Sequence, residues 1–199
     1  MEIKDLSCRD FVHALGSKAP APGGGGAAAL AGALGVALGD MVACFTIGKK
    51  KYAGVEEKMQ QLKSRCEEME NELLALIDAD AEAFVPLAKA YADPGIDKEP
   101  LLRDSARVPL DIMRLAAEGI RVMEEMAASG SAIMVSDAGC GAVCCRAALE
   151  AGALNVFINT KAMKDREYAE KINAEVDALL KDGVPLAEKI YDGVKAKCR

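Results

Sequence analysis

Between residues 27 and 47 the chain carries a single charge, Asp40, in a run made almost entirely of Ala, Gly, Leu, Val and Met. A helix this apolar and this rich in small side chains belongs in the middle of a helical bundle or in a lipid bilayer. Gly35-Val36-Ala37-Leu38-Gly39 has the spacing that lets a second helix approach backbone to backbone. The length would serve a membrane span, with the lysines that follow marking its cytoplasmic flank. Against a span stand Asp40, the preference for Ala and Gly over Leu and Ile, and long amphipathic segments downstream that need an apolar helix to pack on. Hydrophobic residues make up 51% of the chain but aromatic ones only 4%, so the interior must be filled by small and aliphatic side chains, as in close helix-on-helix packing. The expected fold class is all-α, a single-domain bundle of long, partly kinked helices over residues 1–199.

The punctuation agrees. An amphipathic segment over 3–15 ends at Pro20 and Pro22, and Gly23, Gly24, Gly25 and Gly26 then lead into the apolar helix. A second helix is expected over 54–92, with an apolar stripe of Val55, Met59, Leu62, Cys66, Met69, Leu73 and Leu76 and a kink at Pro86. Pro94-Gly95 marks a turn, a helix over 101–127 carries Pro109, and an Ala-rich helix beginning near Ser136-Asp137 reaches about Met163. Two charged amphipathic segments, 165–181 and 186–197, read as covering helices.

Polar groups stand out where this pattern should be apolar. The step after Leu76 on the buried stripe lands on Asp80, and a carboxylate there is costly unless it is paired or faces a cavity, which makes Asp80 the catalytic candidate. Asp78 and Glu82 lie off the stripe and are expected in solvent. Asn155 and Asn159, four apart, put two amides on one helix face, where they must find partners in the core or on a ligand. Ser136 and Asp137 are either plain helix caps or polar groups of a site. Four consecutive glycines before a helix leave backbone N–H groups free to face a ligand, and Lys49, Lys50 and Lys51 form a local positive cluster for an anionic one. The net charge of −6 argues against nucleic acid or an anionic membrane as partner. Seven cysteines without a disulfide-like framework, and no secretory leader at the start, point to a reducing, cytoplasmic setting. Cys140 and Cys144 share a helix face, but the sole histidine, His13, is remote and no metal site is expected.

Taken in order, these segments resemble a known family. Residues 20–26 (PAPGGGG), the helix after them, residues 46–52 (TIGKKKY), 78–84 (DADAEAF), 136–139 (SDAG) and 151–159 (AGALNVFIN) are similar to the cyclodeaminase/cyclohydrolase family, which includes the C-terminal domain of formiminotransferase-cyclodeaminase. Ala21, Gly26, Phe45 and Ser131 depart from residues common in that family, which bears on substrate preference. The resemblance implies an all-helical, generally dimeric enzyme acting on a tetrahydrofolate derivative as substrate, with no tightly bound cofactor. Such enzymes expel ammonia from 5-formimidoyl-tetrahydrofolate to close the methenyl bridge, or hydrolyse 5,10-methenyl-tetrahydrofolate to the 10-formyl form. It further implies Asp80 as the proton-transfer group and the glycines with Lys49, Lys50 and Lys51 as the grip on the acidic folate tail. Ser136, Asp137, Asn155 and Asn159 are implied around the pterin or the one-carbon centre. The lack of a tethered formiminotransferase slightly favours a stand-alone cyclohydrolase, although a separate chain could supply formimidoyl-folate, and the expected activity is the joint one, cyclohydrolase and/or cyclodeaminase. A homodimer is expected through Gly32, Gly35 and Gly39, whose bare face admits a second helix. The readings of another class are a non-catalytic helical dimer and a single-span membrane protein.

Overall fold

The computed structural model describes residues 2–199, and among these the regular elements are helices alone. Six α-helices follow in order: α1 (Cys8–Leu15), α2 (Gly24–Cys44), α3 (Glu56–Ala92), α4 (Glu99–Ser129), α5 (Val135–Ala162) and α6 (Arg166–Lys197), with short 3₁₀ turns at Ile3–Asp5, Lys50–Val55 and Ala132–Met134. Helices α2 and α5 lie side by side and antiparallel, Gly24 beside Asn155 and Gly35 beside Cys145. Helix α4 packs beneath both, with α3 flanking α2 and α6 flanking α5.

The apolar run is thus the central helix of a bundle. Its glycines face neighbours within the same chain: Gly32 meets Leu73 and Ala148, Gly35 meets Cys145 and Gly141, and Gly39 meets Cys66 and Met123. This corrects the expectation that Gly32, Gly35 and Gly39 form a dimer contact, because close approach is already used to seat α3, α4 and α5. A Cβ at Gly35 would stand 3.0 Å from both the Cys145 nitrogen and the Gly141 carbonyl oxygen, atoms of backbone that cannot swing away. Gly35→Ala is therefore expected to destabilise the fold by about 1–3 kcal/mol, measured by urea unfolding.

Four further expectations change. Helix α2 starts at Gly24 rather than after the glycines, so Gly24, Gly25 and Gly26 are its first turn. On α3 the buried stripe runs Met69, Leu73, Ile77, Ala81 and leaves Leu76 half-buried, because an alternation of threes and fours, a 3.5-residue repeat, drifts around a straight 3.6-residue helix and successive steps of four bring the stripe back to the core. Asp80 consequently sits beside the core stripe. Glu82 is exposed, but Asp78 is not a solvated group: its Oδ1 accepts from the Ile3 nitrogen at 2.6 Å and its Oδ2 lies 3.3 Å from the Lys4 ammonium, fastening the N-terminal segment to α3. The two covering segments are one helix, α6, which continues through Pro185 because its buried side chains (Ala169, Val176, Ala187, Ile190, Val194) run across the proline unbroken.

Candidate active site

The first turn of α2 abuts the middle of α3. The Gly26 nitrogen donates to Asp80 Oδ2 at 3.0 Å, and a Cβ on Gly25 would run into the same carboxylate. Asp80 can occupy this position only because the residue opposite has no side chain. Half-buried, with no basic side chain among its hydrogen-bond or salt-bridge partners, the carboxyl is pushed above its ordinary pKa by desolvation, a shift that the Gly26 N–H partly opposes.

From the other side α5 presents the two amides. Asn155 stands where a Cβ on Gly24 would be 3.1 Å from its Nδ2, which donates to the Ala151 carbonyl at 2.8 Å. Asn159, only 9% exposed, donates through Nδ2 to the Ser105 carbonyl of α4 at 3.0 Å and to the Asn155 carbonyl at 2.8 Å. Two carbonyls around one amide nitrogen fix which way the group points, since an oxygen there would be repelled by both. Both Nδ2 hydrogens are used within the protein, so Oδ1 of Asn159 is left to accept from a ligand.

These groups line one cavity of about 180 Å³, together with Pro20, Ala21, Gly23, Phe84, Tyr91 and Ile158. It holds a carboxyl poised to exchange a proton, an amide acceptor, and a helix N-terminus whose first-turn N–H groups favour negative charge developing nearby. Asp80, Gly23, Gly24, Gly25, Asn155 and Asn159 are brought together, and Gly26 supports them from behind. Sequence reasoning had not singled out Ser105, Tyr91 or Ile158 for a site. Ser105, a hydroxyl residue buried among the aliphatic side chains of α4, was the one with a visible cue.

The remaining candidates are elsewhere. Lys49, Lys50 and Lys51 follow the other end of α2, and a helix of this length separates its ends by about 30 Å. The Lys49 ammonium lies 5.5 Å over the Phe45 ring and that of Lys51 5.4 Å over Tyr52. Ser136 and Asp137 stand at the same far end, in the first turn of α5 and not at its N-cap, which is Met134. There the Tyr52 hydroxyl accepts from the Ala132 nitrogen at 2.9 Å and the Thr46 hydroxyl from the Ser131 nitrogen at 2.8 Å. The expectation that one chain gathers the lysines and the glycines around one ligand is therefore corrected, and the cue was the helix length itself. Among the described residues no three His, Cys, Asp or Glu side chains converge as a metal would require.

The family model described as formiminotransferase-cyclodeaminase matches residues 7–178. This chain belongs to that family. Within the formiminotransferase-cyclodeaminase family it is 40% identical to a methenyltetrahydrofolate cyclohydrolase of Methylorubrum extorquens over 94% of this chain and 95% of that one. It is 29% identical to the formimidoyltransferase-cyclodeaminase of Mus musculus over 98% of its own length, which is 38% of the mouse protein. The crystal structure of a formiminotetrahydrofolate cyclodeaminase from Thermotoga maritima superposes with a TM-score of 0.86 at 31% identity, covering 98% of this chain and 97% of the other. An all-helical member of the formiminotransferase-cyclodeaminase family is thus what the glycine, aspartate and asparagine segments had pointed to.

Proposed function

We propose that the protein is a folate one-carbon enzyme that hydrolyses 5,10-methenyl-tetrahydrofolate to the 10-formyl form. The observation that carries this reading is the unpaired, desolvated Asp80 carboxyl held at the glycine turn of α2, opposite two asparagines. Hydrolysis needs a base to take a proton from water as the oxygen bonds to the methenyl carbon. It then needs an acid to protonate N5 as the carbon–N5 bond breaks, the remaining hydroxyl proton of the tetrahedral carbon leaving to solvent as the formyl carbonyl forms. One carboxyl whose pKa is raised by burial serves as base and then as acid. The tetrahedral oxygen that forms would face the N-terminal N–H groups of α2. The identity to the M. extorquens cyclohydrolase, spanning nearly the whole of both chains, supports this reaction. Cyclodeamination is the second reading, favoured by the likeness to the T. maritima cyclodeaminase. It passes through the same kind of tetrahedral carbon, with N10 attacking and ammonia leaving. Purified protein mixed separately with 5,10-methenyl- and 5-formimidoyl-tetrahydrofolate, followed by loss or gain of the methenyl absorbance, tests both. Activity on neither substrate would overturn the assignment. The cytoplasm, as a reducing compartment, is the setting we propose for a chain whose cysteines are all free thiols.

The assembly we propose is a homodimer built on the outer face of the α2/α5 layer. This face points away from α4 and presents Leu34 and Phe45 from α2 with Val143, Leu154 and Ile158 from α5, Leu154 being 70% and Ile158 64% exposed. Asp40, the only charged residue of α2, lies to its side, paired with Lys63 of α3 at 3.4 Å. Ile158 also lines the active-site cavity, so a second copy seated here would close its open edge. A two-fold axis perpendicular to α2 would set the lysine end of one copy against the glycine end of the other, the arrangement in which Lys49, Lys50 and Lys51 could approach the site. Light scattering at micromolar concentration is expected to give twice the 20.9 kDa chain mass, falling to one chain in Leu34→Lys/Leu154→Lys. A wild-type protein that scatters as 20.9 kDa would remove the dimer.

A further inference from the structure

The cavity around Asp80 is too small for a whole folate, lying below the roughly 300 Å³ at which pockets begin to enclose drug-sized ligands. It admits the pterin end, and the benzoyl and glutamyl parts must leave it. A second, larger cavity of about 470 Å³ adjoins it, and Tyr91 is a wall of both. The same three helices carry the groove onward. On α3 it passes from Asp80 and Phe84 to Tyr91, on α4 from Ser105 to Leu102 with Lys98 at the N-cap, and on α5 from Asn155 and Asn159 to Ala162 with Lys164 in the segment just beyond. The seven residue steps from Asn155 to Ala162 advance about 10 Å, the scale of one aromatic ring and one amino-acid residue.

The far end of this groove suits a carboxylate. Lys98 holds its ammonium 5.9 Å over the Tyr91 ring, and neither Lys98 nor Lys164 forms a salt bridge among the described residues. The two acids in the groove are already engaged with backbone. Asp97 Oδ1 accepts from the Glu99 nitrogen at 3.2 Å, and the Glu99 carboxylate accepts from the Lys164 and Asp165 nitrogens at 2.8 and 3.1 Å. The exposed ring of Tyr91 offers a face for an aromatic group leaving the first cavity.

We propose that this groove is the subsite for the p-aminobenzoyl-glutamate portion of the substrate, the benzoyl ring lying on Tyr91 and the glutamyl carboxylates meeting Lys98 and Lys164 of the same protomer. The proposal rests on the folate reading above. It assigns the first glutamate to this groove and not to the Lys49–Lys51 cluster of a second copy.

The test compares kcat/KM for 5,10-methenyl-tetrahydrofolate with that for the corresponding pteroate, which lacks the glutamate. The proteins are wild type, Lys98→Ala/Lys164→Ala, and Lys49→Ala/Lys50→Ala/Lys51→Ala, with circular dichroism confirming the fold of each. Wild type is expected to prefer the glutamate-bearing substrate by about tenfold or more, the scale of charge-assisted contacts. The Lys98/Lys164 variant should lose that preference to within about twofold while the triple-lysine variant keeps it. Preference retained in the Lys98/Lys164 variant, or lost only in the triple variant, overturns the subsite and leaves the enzyme reading standing. A wild type that turns over both substrates equally well also overturns the subsite. A wild type inactive on both overturns this proposal together with the reading beneath it.

Discussion

Asp80→Asn is expected to lower kcat by on the order of 10²-fold or more, because the amide keeps the shape of the carboxyl and the hydrogen bond from the Gly26 nitrogen but cannot exchange a proton. The pH dependence follows from the direction of the shift. Burial raises the Asp80 pKa, so the base form in the wild type appears only above the ordinary carboxylate range, and kcat/KM should climb along an acid limb displaced to higher pH. The variant should lack that limb. Stability moves the opposite way: the folded carboxyl holds its proton more tightly than the unfolded one, so stability falls as pH rises from the ordinary value through the raised one. At neutral pH Asp80→Asn should therefore be at least as resistant to urea as wild type, with any advantage vanishing once both carboxyls are protonated. Full activity in the variant, or a fold weakened at neutral pH, would make Asp80 a structural residue.

Gly25→Ala carries the second largest effect. In the first turn of a helix such a change ordinarily stabilises, by about 0.5–1 kcal/mol. Here the new methyl would occupy space held by the Asp80 carboxylate, whose short side chain has no room to retreat without leaving the Gly26 nitrogen. The expected result is a loss of kcat of about tenfold to 10²-fold, the carboxyl being displaced from the reacting atoms. Gly54→Ala is the control, since nothing lies within 4 Å of a Cβ there, and it should match wild type. Equal activity of Gly25→Ala and Gly54→Ala would mean that the contact between α2 and Asp80 has no part in turnover.

The sequence alone determined the helices and the bundle, because apolar periodicity, prolines and glycines act over a few residues and are read locally. It also marked Asp80, Asn155 and Asn159, since polar groups read onto apolar helix faces must be satisfied somewhere. It did not determine what satisfies them. The Gly26–Asp80 hydrogen bond joins residues 54 apart and the Asn159–Ser105 bond residues also 54 apart, and only the packing of α2 on α3 and of α5 on α4 brings them together. The inward turn of Gly32, Gly35 and Gly39 was equally a matter of packing, as bare helix faces look the same from the sequence whether their neighbour is the same chain or another. Helix length set the reverse limit. A rise of about 1.5 Å per residue holds Lys49, Lys50 and Lys51 a full helix away from the glycines that precede them, and no local pattern overrides that distance.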